Sequence, residues 1–193
     1  MQVEQLIAFF ESYIPLDSEV KKNLQTISQE RNIKKKQLIL NADDTCRHYS
    51  FVVSGLFKMY KVHKNGIEQI IEFVAENEWI VDLKSMHNKM PSEFYIEAIE
   101  PSVIIQIEKA NIYQLFVQSQ KIERIFRVII ENKYMQLENR VLQHISTNAE
   151  ERYEKFLEDY PKISNRIPNT QIASYLGITP EFLSKIRNNL SKK

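Results

Sequence analysis

The sequence predicts an α+β protein: an N-terminal antiparallel β-roll, a long helix, and a C-terminal helix-turn-helix. Three observations predict it. Between about Lys36 and Glu108, short segments rich in β-branched and aromatic residues alternate with turn signals. From Lys121 to Ile145 there is neither Gly nor Pro. And a chain with glycines only at 55, 66 and 177 places the last of them inside "NTQIASYLGITPEFLSKIRNNL", three residues before a proline.

The N-terminal stretch, residues 3 to 27, reads as helical. Leu6, Phe9, Phe10 and Tyr13 recur at spacings of three and four. "PLDSEVKKNL" opens a second helix, with Asp17 or Ser18 as N-cap. The strands follow as "QLIL", "YSFVV", "GLFKMYKV", "IEQIIEFV", "EFYIEAIE" and "SVIIQIE". In "GLFKMYKV", Leu56, Lys58, Tyr60 and Val62 alternate with Phe57, Met59, Lys61 and His63. Asn65-Gly66 is the strongest hairpin signal and predicts a type I′ turn, with positive φ at both positions. "KKK" at 34–36 reads as the solvated start of a strand.

Residues 109–118 form a short amphipathic segment, and the long helix follows. Phe126, Ile130, Tyr134, Leu137, Val141 and Ile145 make one apolar stripe; Ile122, Ile125 and Ile129 make a neighbouring one. A helix with two apolar faces can pack on its own domain and on a partner helix, so Phe126, Ile130, Tyr134, Leu137 and Val141 are the expected dimerisation residues. A single broad core-facing stripe is the plain alternative. "NAEERYEKFLEDY" is a further helix capped by Asn148, and "PKISNRIPN" is a connector. The expected division is 1–120 for the roll with its N-terminal helices, 121–146 for the long helix, and 147–193 for the terminal domain.

Composition bounds the function. With 193 residues, 43% hydrophobic and 26% charged, the chain suits a globular protein of one large or two small domains. Cys46 is the only cysteine, so no intrachain disulfide forms and a reducing cytoplasm is expected. The N-terminus lacks a basic n-region, and no apolar run approaches the roughly 20 residues of a membrane helix. The net charge of +1 is unevenly spread. Residues 164–193 hold five basic side chains and one acid, a net of +4, which leaves −3 for the rest. A basic end on a slightly acidic body points to a polyanionic partner.

That basic end is also the helix pair. Ile172, Leu176, Ile178, Leu183 and Ile186 are spaced for two helices broken at Gly177, with Asn169 capping the first and Ala173 small enough for a close crossing. Gly177 suits a left-handed C-terminal position, Thr179 an N-cap, Pro180 the first helical turn, and Glu181 the positive end of the helix dipole. An ordinary helical hairpin is the alternative, but this joint pattern is restrictive. The second helix is expected in the major groove of double-stranded DNA. Glu181 can accept from a cytosine amine, and Lys185 can donate to guanine O6 and N7, with Pro180 and Ser184 beside them. Thr179, Arg187, Asn188, Lys192 and Lys193 are candidates for phosphate contacts, and Asn169 and Thr170 complete the expected DNA face.

Taken together, roll, long helix and terminal helix-turn-helix resemble the Crp/Fnr family of bacterial transcription regulators over nearly the whole chain. The resemblance is strongest at "QIASYLGITPEFLSKIR", which is similar to the recognition motif of Bacteroidetes-type members. "YSFVVSGLFKMYK" and "RYEKFLEDYPKI" add to it. It implies a homodimer paired through the long helix, a cyclic-nucleotide-binding-like β-roll, and RNA polymerase as a further partner. It also implies an effector cassette running from a Gly-Glu-Leu stretch to an Arg-Ser or Arg-Thr pair. Here those positions read Val81-Asp82-Leu83 and Ser92-Glu93, and the hydroxyl pair on the long helix falls on Leu137-Glu138. The glycine and the arginine are gone, and no Arg occurs between Arg47 and Arg124. The cassette therefore reads as degenerate, and control by cyclic AMP is not expected.

Other chemistry finds little support. An iron–sulfur cluster needs several cysteines. Haem ligation would fall to His48, His63 or His87, for which a polar-surface role is the plainer account. No His-x-His pair, nucleophile elbow or glycine-rich phosphate loop is present, and Glu72, Asp82, Glu93 and Glu97 read as outward strand carboxylates. The sequence thus predicts a sequence-specific DNA-binding regulator, without enzymatic activity or cofactor, acting on a palindromic site as a homodimer. A small-molecule or redox sensor working through the β-roll, with DNA binding secondary, is the alternative.

Overall fold

The computed structural model describes residues 2–190. In chain order the elements are α1 (Val3–Glu11), α2 (Ser18–Ile27), β1 (Gln29–Ile33), β2 (Leu38–Leu40), β3 (His48–Ser54), β4 (Phe57–Val62), β5 (Glu68–Val74) and β6 (Trp79–Ile80). Then come α3 (Leu83–Asn88), β7 (Tyr95–Ala98), β8 (Ser102–Glu108), α4 (Lys109–Gln118), α5 (Gln120–Ser146), α6 (Ala149–Asp159), α7 (Asn169–Leu176) and α8 (Pro180–Leu190). Two compact units result: Met1–Met59 with Phe73–Asn132, and Tyr60–Glu72 with Lys133–Lys193. The tip of the β4–β5 hairpin thus belongs with the C-terminal helices, and α5 contributes to both units.

The first unit holds most of the β-roll. One sheet runs β1-β8-β3-β6, and the other β2-β7-β4-β5. β8 is antiparallel to both β1 and β3, with Arg31 opposite Ile104 and Phe51 opposite Ile105. The edge strand β1 was not anticipated, because "QERNI" carries a polar pattern and buries only its last residue. The lysines that follow form a turn rather than the start of a strand, with Lys36 at φ 65°. Both faces of β4 are covered over its first four residues. Phe57, Lys58, Met59 and Tyr60 are all buried, and the Lys58 ammonium reaches Glu97 at 3.7 Å.

Aromatic rings fill the core of this unit. Phe126 on α5 packs against Phe10, Tyr49, Trp79 and Phe116, with ring centroids 5.1–5.8 Å apart. It is only 4% exposed, so it is a core residue and not part of a dimerisation surface. The reason is local: the first two turns of α5 bury Ile122, Ile125 and Phe126 in the roll before the helix leaves it. At Gly55, φ is 100°, and a Cβ would fall 2.0 Å from Ser102 Oγ, so backbone and neighbour both require glycine.

The hairpin turn differs from the expected type. Gly66 has positive φ but Asn65 does not. Gly66 N–H donates to His63 O and His63 N–H to Ile67 O, while Asn65 Oδ1 accepts from Ile67 N–H. A wider loop ending in a left-handed glycine needs positive φ at that one position alone.

Candidate nucleic-acid interface and the degenerate effector cassette

α7 and α8 form the predicted helix-turn-helix. Gly177 closes α7 at φ 69°, ψ 33°. Ile178 N–H donates to Ala173 O at 3.0 Å and Gly177 N–H to Ser174 O at 3.2 Å, the paired bonds of a left-handed helix stop. Ala173 is fully buried at the crossing. Thr179 Oγ1 accepts from Phe182 N–H at 3.2 Å and caps α8 as expected. At the start of α7 the expectation fails: Pro168 precedes the first turn, and Asn169 lies inside the helix. The Asn169 side chain instead accepts from the Arg187 guanidinium, which ties the two helices together.

α8 is sharply two-sided. Leu183 and Ile186 are buried, while Pro180, Glu181, Phe182, Ser184, Lys185, Arg187 and Asn188 are exposed. Hydrogen bonds to its own N–H and to Thr179 hold the Glu181 carboxyl below its usual range, so it stays ionised at the helix start. Ser184 Oγ donates to Pro180 O at 3.0 Å. Thr170 is exposed on the first turn of α7. Lys192 and Lys193 lie outside the described residues. Phe182 belongs to neither the expected apolar set nor the expected outward set, and the structure leaves it 48% exposed on the flank between them.

Ser174 and Arg140 join this head to the hairpin in the same unit. Ser174 Oγ donates to Glu68 O at 2.6 Å and accepts from Ile70 N–H at 3.1 Å; Gln69 Nε2 donates to Ser174 O at 2.8 Å. The free edge of β5 is thereby satisfied by a helix residue. Arg140 on α5 donates to Ile71 O, Ile70 O and Tyr175 O, and stacks 4.0 Å over the Tyr175 ring. Lys133 pairs with Glu72 at 3.0 Å. Further along α5, Ile130, Tyr134, Leu137 and Val141 are exposed, Tyr134 by 64%. Leu137 and Glu138 are both exposed on this helix.

The cassette positions in the roll have their own closed chemistry. Asp82 is the N-cap of α3: its Oδ1 accepts from Ser85 N–H at 3.0 Å and its Oδ2 from Ser92 Oγ at 2.6 Å. Asp82 and Ser92 are buried, Val81 and Leu83 are half-buried, and exposed Glu93 pairs with Lys84 at 2.6 Å. Glu72, Asp82, Glu93 and Glu97 do not converge; three of them are paired with lysines, and no metal-binding cluster occurs among the described residues.

A cleft of about 260 Å³ lies in the roll beside the cassette, lined in part by Asp44, Cys46, His48, Ser50, Ile96 and Gln106; Ser92 N–H donates to Asp44 O and Cys46 N–H to Ser85 Oγ, both at 2.9 Å. Burial pushes the Cys46 thiol up and the His48 imidazole down from their usual ranges. Arg31 donates to Gln106 Oε1 at 2.7 Å, and Gln106 donates to Ser50 Oγ at 3.0 Å.

This architecture defines a class. Residues 30–119 match the cyclic nucleotide-binding domain family, and the chain carries the fold of the Crp/Fnr-type transcriptional regulators. Among particular relatives, the probable transcriptional regulator flp of Lacticaseibacillus casei is 24% identical over 188 residues, covering 92% of this chain and 83% of its own. The FixK2 structure from Bradyrhizobium japonicum superposes with a TM-score of 0.75 at 18% identity, covering 86% of this chain and 85% of FixK2. The c-di-GMP-responsive global regulator CLP of Xanthomonas campestris gives 0.73 at 14% identity, covering 91% and 92%. Among the described residues no helix is long and apolar enough to cross a membrane.

Proposed function

We propose that the protein is a cytoplasmic, homodimeric, sequence-specific DNA-binding transcription regulator that reads a palindromic site and is not controlled by cyclic AMP. The observation that carries this reading is α8: a capped helix after a glycine stop, with one face locked into the head and Glu181, Ser184 and Lys185 exposed on the other. The exposed stripe Ile130, Tyr134, Leu137 and Val141 supports pairing with a second copy. Two reading helices about 34 Å apart would then meet successive major grooves. Asp82 and Ser92 support independence from cyclic AMP, because an internal carboxylate takes the backbone N–H and the hydroxyl that an anionic ligand would need. RNA polymerase is the expected further partner. The test is binding of the full chain to DNA selected from a random duplex pool. Lys185→Ala should lower affinity and relax the preference at one base pair, whereas Lys192→Ala should weaken binding to every sequence alike. An unchanged preference in Lys185→Ala would overturn the groove assignment.

The cleft beside His48 favours a second reading, in which a small molecule held in the roll governs the head. Its thiol does not support a redox version, since Cys46 is buried and its raised pKa disfavours the reactive thiolate. Thermal shift against a metabolite panel separates the readings, because a ligand selective for the native state raises stability.

A further inference from the structure

Phe182 is the one large apolar side chain among the exposed positions of α8, and it is 48% exposed. A scattered exposed hydrophobic residue would be ordinary. This one sits in the first turn, between Glu181 and Lys185, on the helix whose charged residues are assigned above to base edges. Its backbone is fixed, because its N–H is the group that Thr179 caps. Successive residues turn by about 100°, so Phe182 shares a flank with Lys185 and Asn189 and lies beside, not beneath, the polar face. It borders the buried side, with Ile186 one turn along, yet about half of it stays exposed while Leu183 and Ile186 are buried.

In the major groove, the apolar feature that distinguishes a base edge is the C5 methyl of thymine, and phenylalanine is among the side chains that contact it. Three residues of helix rise span about 4.5 Å, close to the roughly 3.4 Å between successive bases of a strand. Resting on the DNA-binding reading above, we propose that Phe182 is a specificity residue that packs on the methyl group of a thymine one step from the base that Lys185 contacts. Glu181 and Lys185 then read polar edges, and Phe182 reads a position at which they are silent.

The test uses the full-length chain and the duplex it selects from a random pool. Each thymine of a half-site is replaced in turn by deoxyuridine, which removes only the methyl group. In the wild type one replacement should weaken binding about fourfold, the effect of one buried methyl-sized group. Phe182→Ala should bind the thymine site about fourfold more weakly and show no further loss with deoxyuridine there, while Phe182→Leu retains part of the discrimination. Because Phe182 is about half exposed, both variants should stay folded with only a modest fall in melting temperature, larger for Phe182→Ala than for Phe182→Leu. A deoxyuridine penalty that survives intact in Phe182→Ala, or no penalty at any thymine in the wild type, would overturn the proposal and leave DNA binding standing. If the wild type selects no common sequence, the DNA-binding reading falls first.

Discussion

The hydroxyl of Ser92 donates to the buried carboxylate of Asp82 at 2.6 Å, across ten residues of chain. The same carboxylate caps α3 through Ser85 N–H. A helix start that could face an anion is thereby satisfied from within the protein. Adding cyclic AMP should leave the melting temperature unchanged; a clear rise would restore the cassette as a ligand site. Asp82→Ala should cost about 1–2 kcal/mol, from a lost cap and a lost hydrogen bond, the Ser92 hydroxyl keeping Phe94 O at 3.1 Å as an acceptor. Urea unfolding measures it, and Asp82→Asn should recover part of the loss, since its one carbonyl oxygen can still cap α3 through Ser85 N–H while its amide nitrogen, a donor, cannot accept from Ser92.

Ser174 gives a second prediction. One hydroxyl satisfies both Ile70 N–H and Glu68 O on the edge of β5. Ser174→Ala frees both groups and should destabilise this unit by about 1 kcal/mol. Amide exchange at Ile70 should accelerate in the variant. Unaltered exchange would mean that the hairpin and the head are not held through this residue.

How far these features were legible in the sequence depends on their range. The helix-turn-helix is a local code: Gly177, Thr179 and Pro180 act within a few residues of one another, and all three behave as the sequence implied. β1 was hidden because an edge strand can be polar on both faces, as "QERNI" is. Asn65-Gly66 signalled a hairpin correctly but not its turn type, which depends on the loop closing at His63 and Ile67. Phe126 followed the periodicity of the exposed stripe, yet its turn of α5 packs into the roll. The bond between Ser174 and β5 spans more than a hundred residues, and no periodicity could announce it. At the cassette, the loss of Gly and Arg was plain in sequence. That Asp82 and Ser92 satisfy each other required coordinates.

The cleft histidine predicts a pH dependence. Burial lowers the His48 pKa, opposed by Glu108 and reinforced by Arg31 and Arg47. The unfolded chain, with a pKa of about 6.5, therefore takes up the proton first as pH falls. The His48 contribution to stability is present above about pH 6.5 and is lost as pH falls toward the folded value. Melting temperatures between neutral and mildly acid pH should drop less steeply in His48→Gln than in the wild type. Parallel curves would remove His48 as a source of acid sensitivity.

Gly55 makes a prediction about the roll alone. Its φ of 100° suits glycine, and a methyl group there would collide with Ser102 Oγ, which itself donates to Glu100 O at 2.8 Å. Gly55→Ala combines backbone strain with overpacking and should cost about 3 kcal/mol. Ser102→Gly in the same chain should recover only part of the loss, because it removes the side-chain collision but leaves the residue 102 Cα 2.8 Å from the added methyl and φ unchanged. Full recovery would show that neither the backbone conformation nor the residue 102 main chain opposes a side chain at position 55.

The exposed half of α5 makes the last prediction. Tyr134 is 64% exposed and Leu137 56%, on a helix whose first turns are core. Two such stripes laid together would bury apolar area on both copies and set the spacing of two reading helices, so association and operator binding should fail together. Leu137→Glu puts a charge in the centre of that seam, where burial without a partner is costly. Sedimentation should show the wild type as a dimer and Leu137→Glu as a monomer, with the folded head intact by circular dichroism. Affinity for a full palindrome should fall steeply in the variant, while the weak affinity for a single half-site stays the same. A dimeric Leu137→Glu protein, or a palindrome bound no better than a half-site by the wild type, would show that α5 does not pair the reading heads.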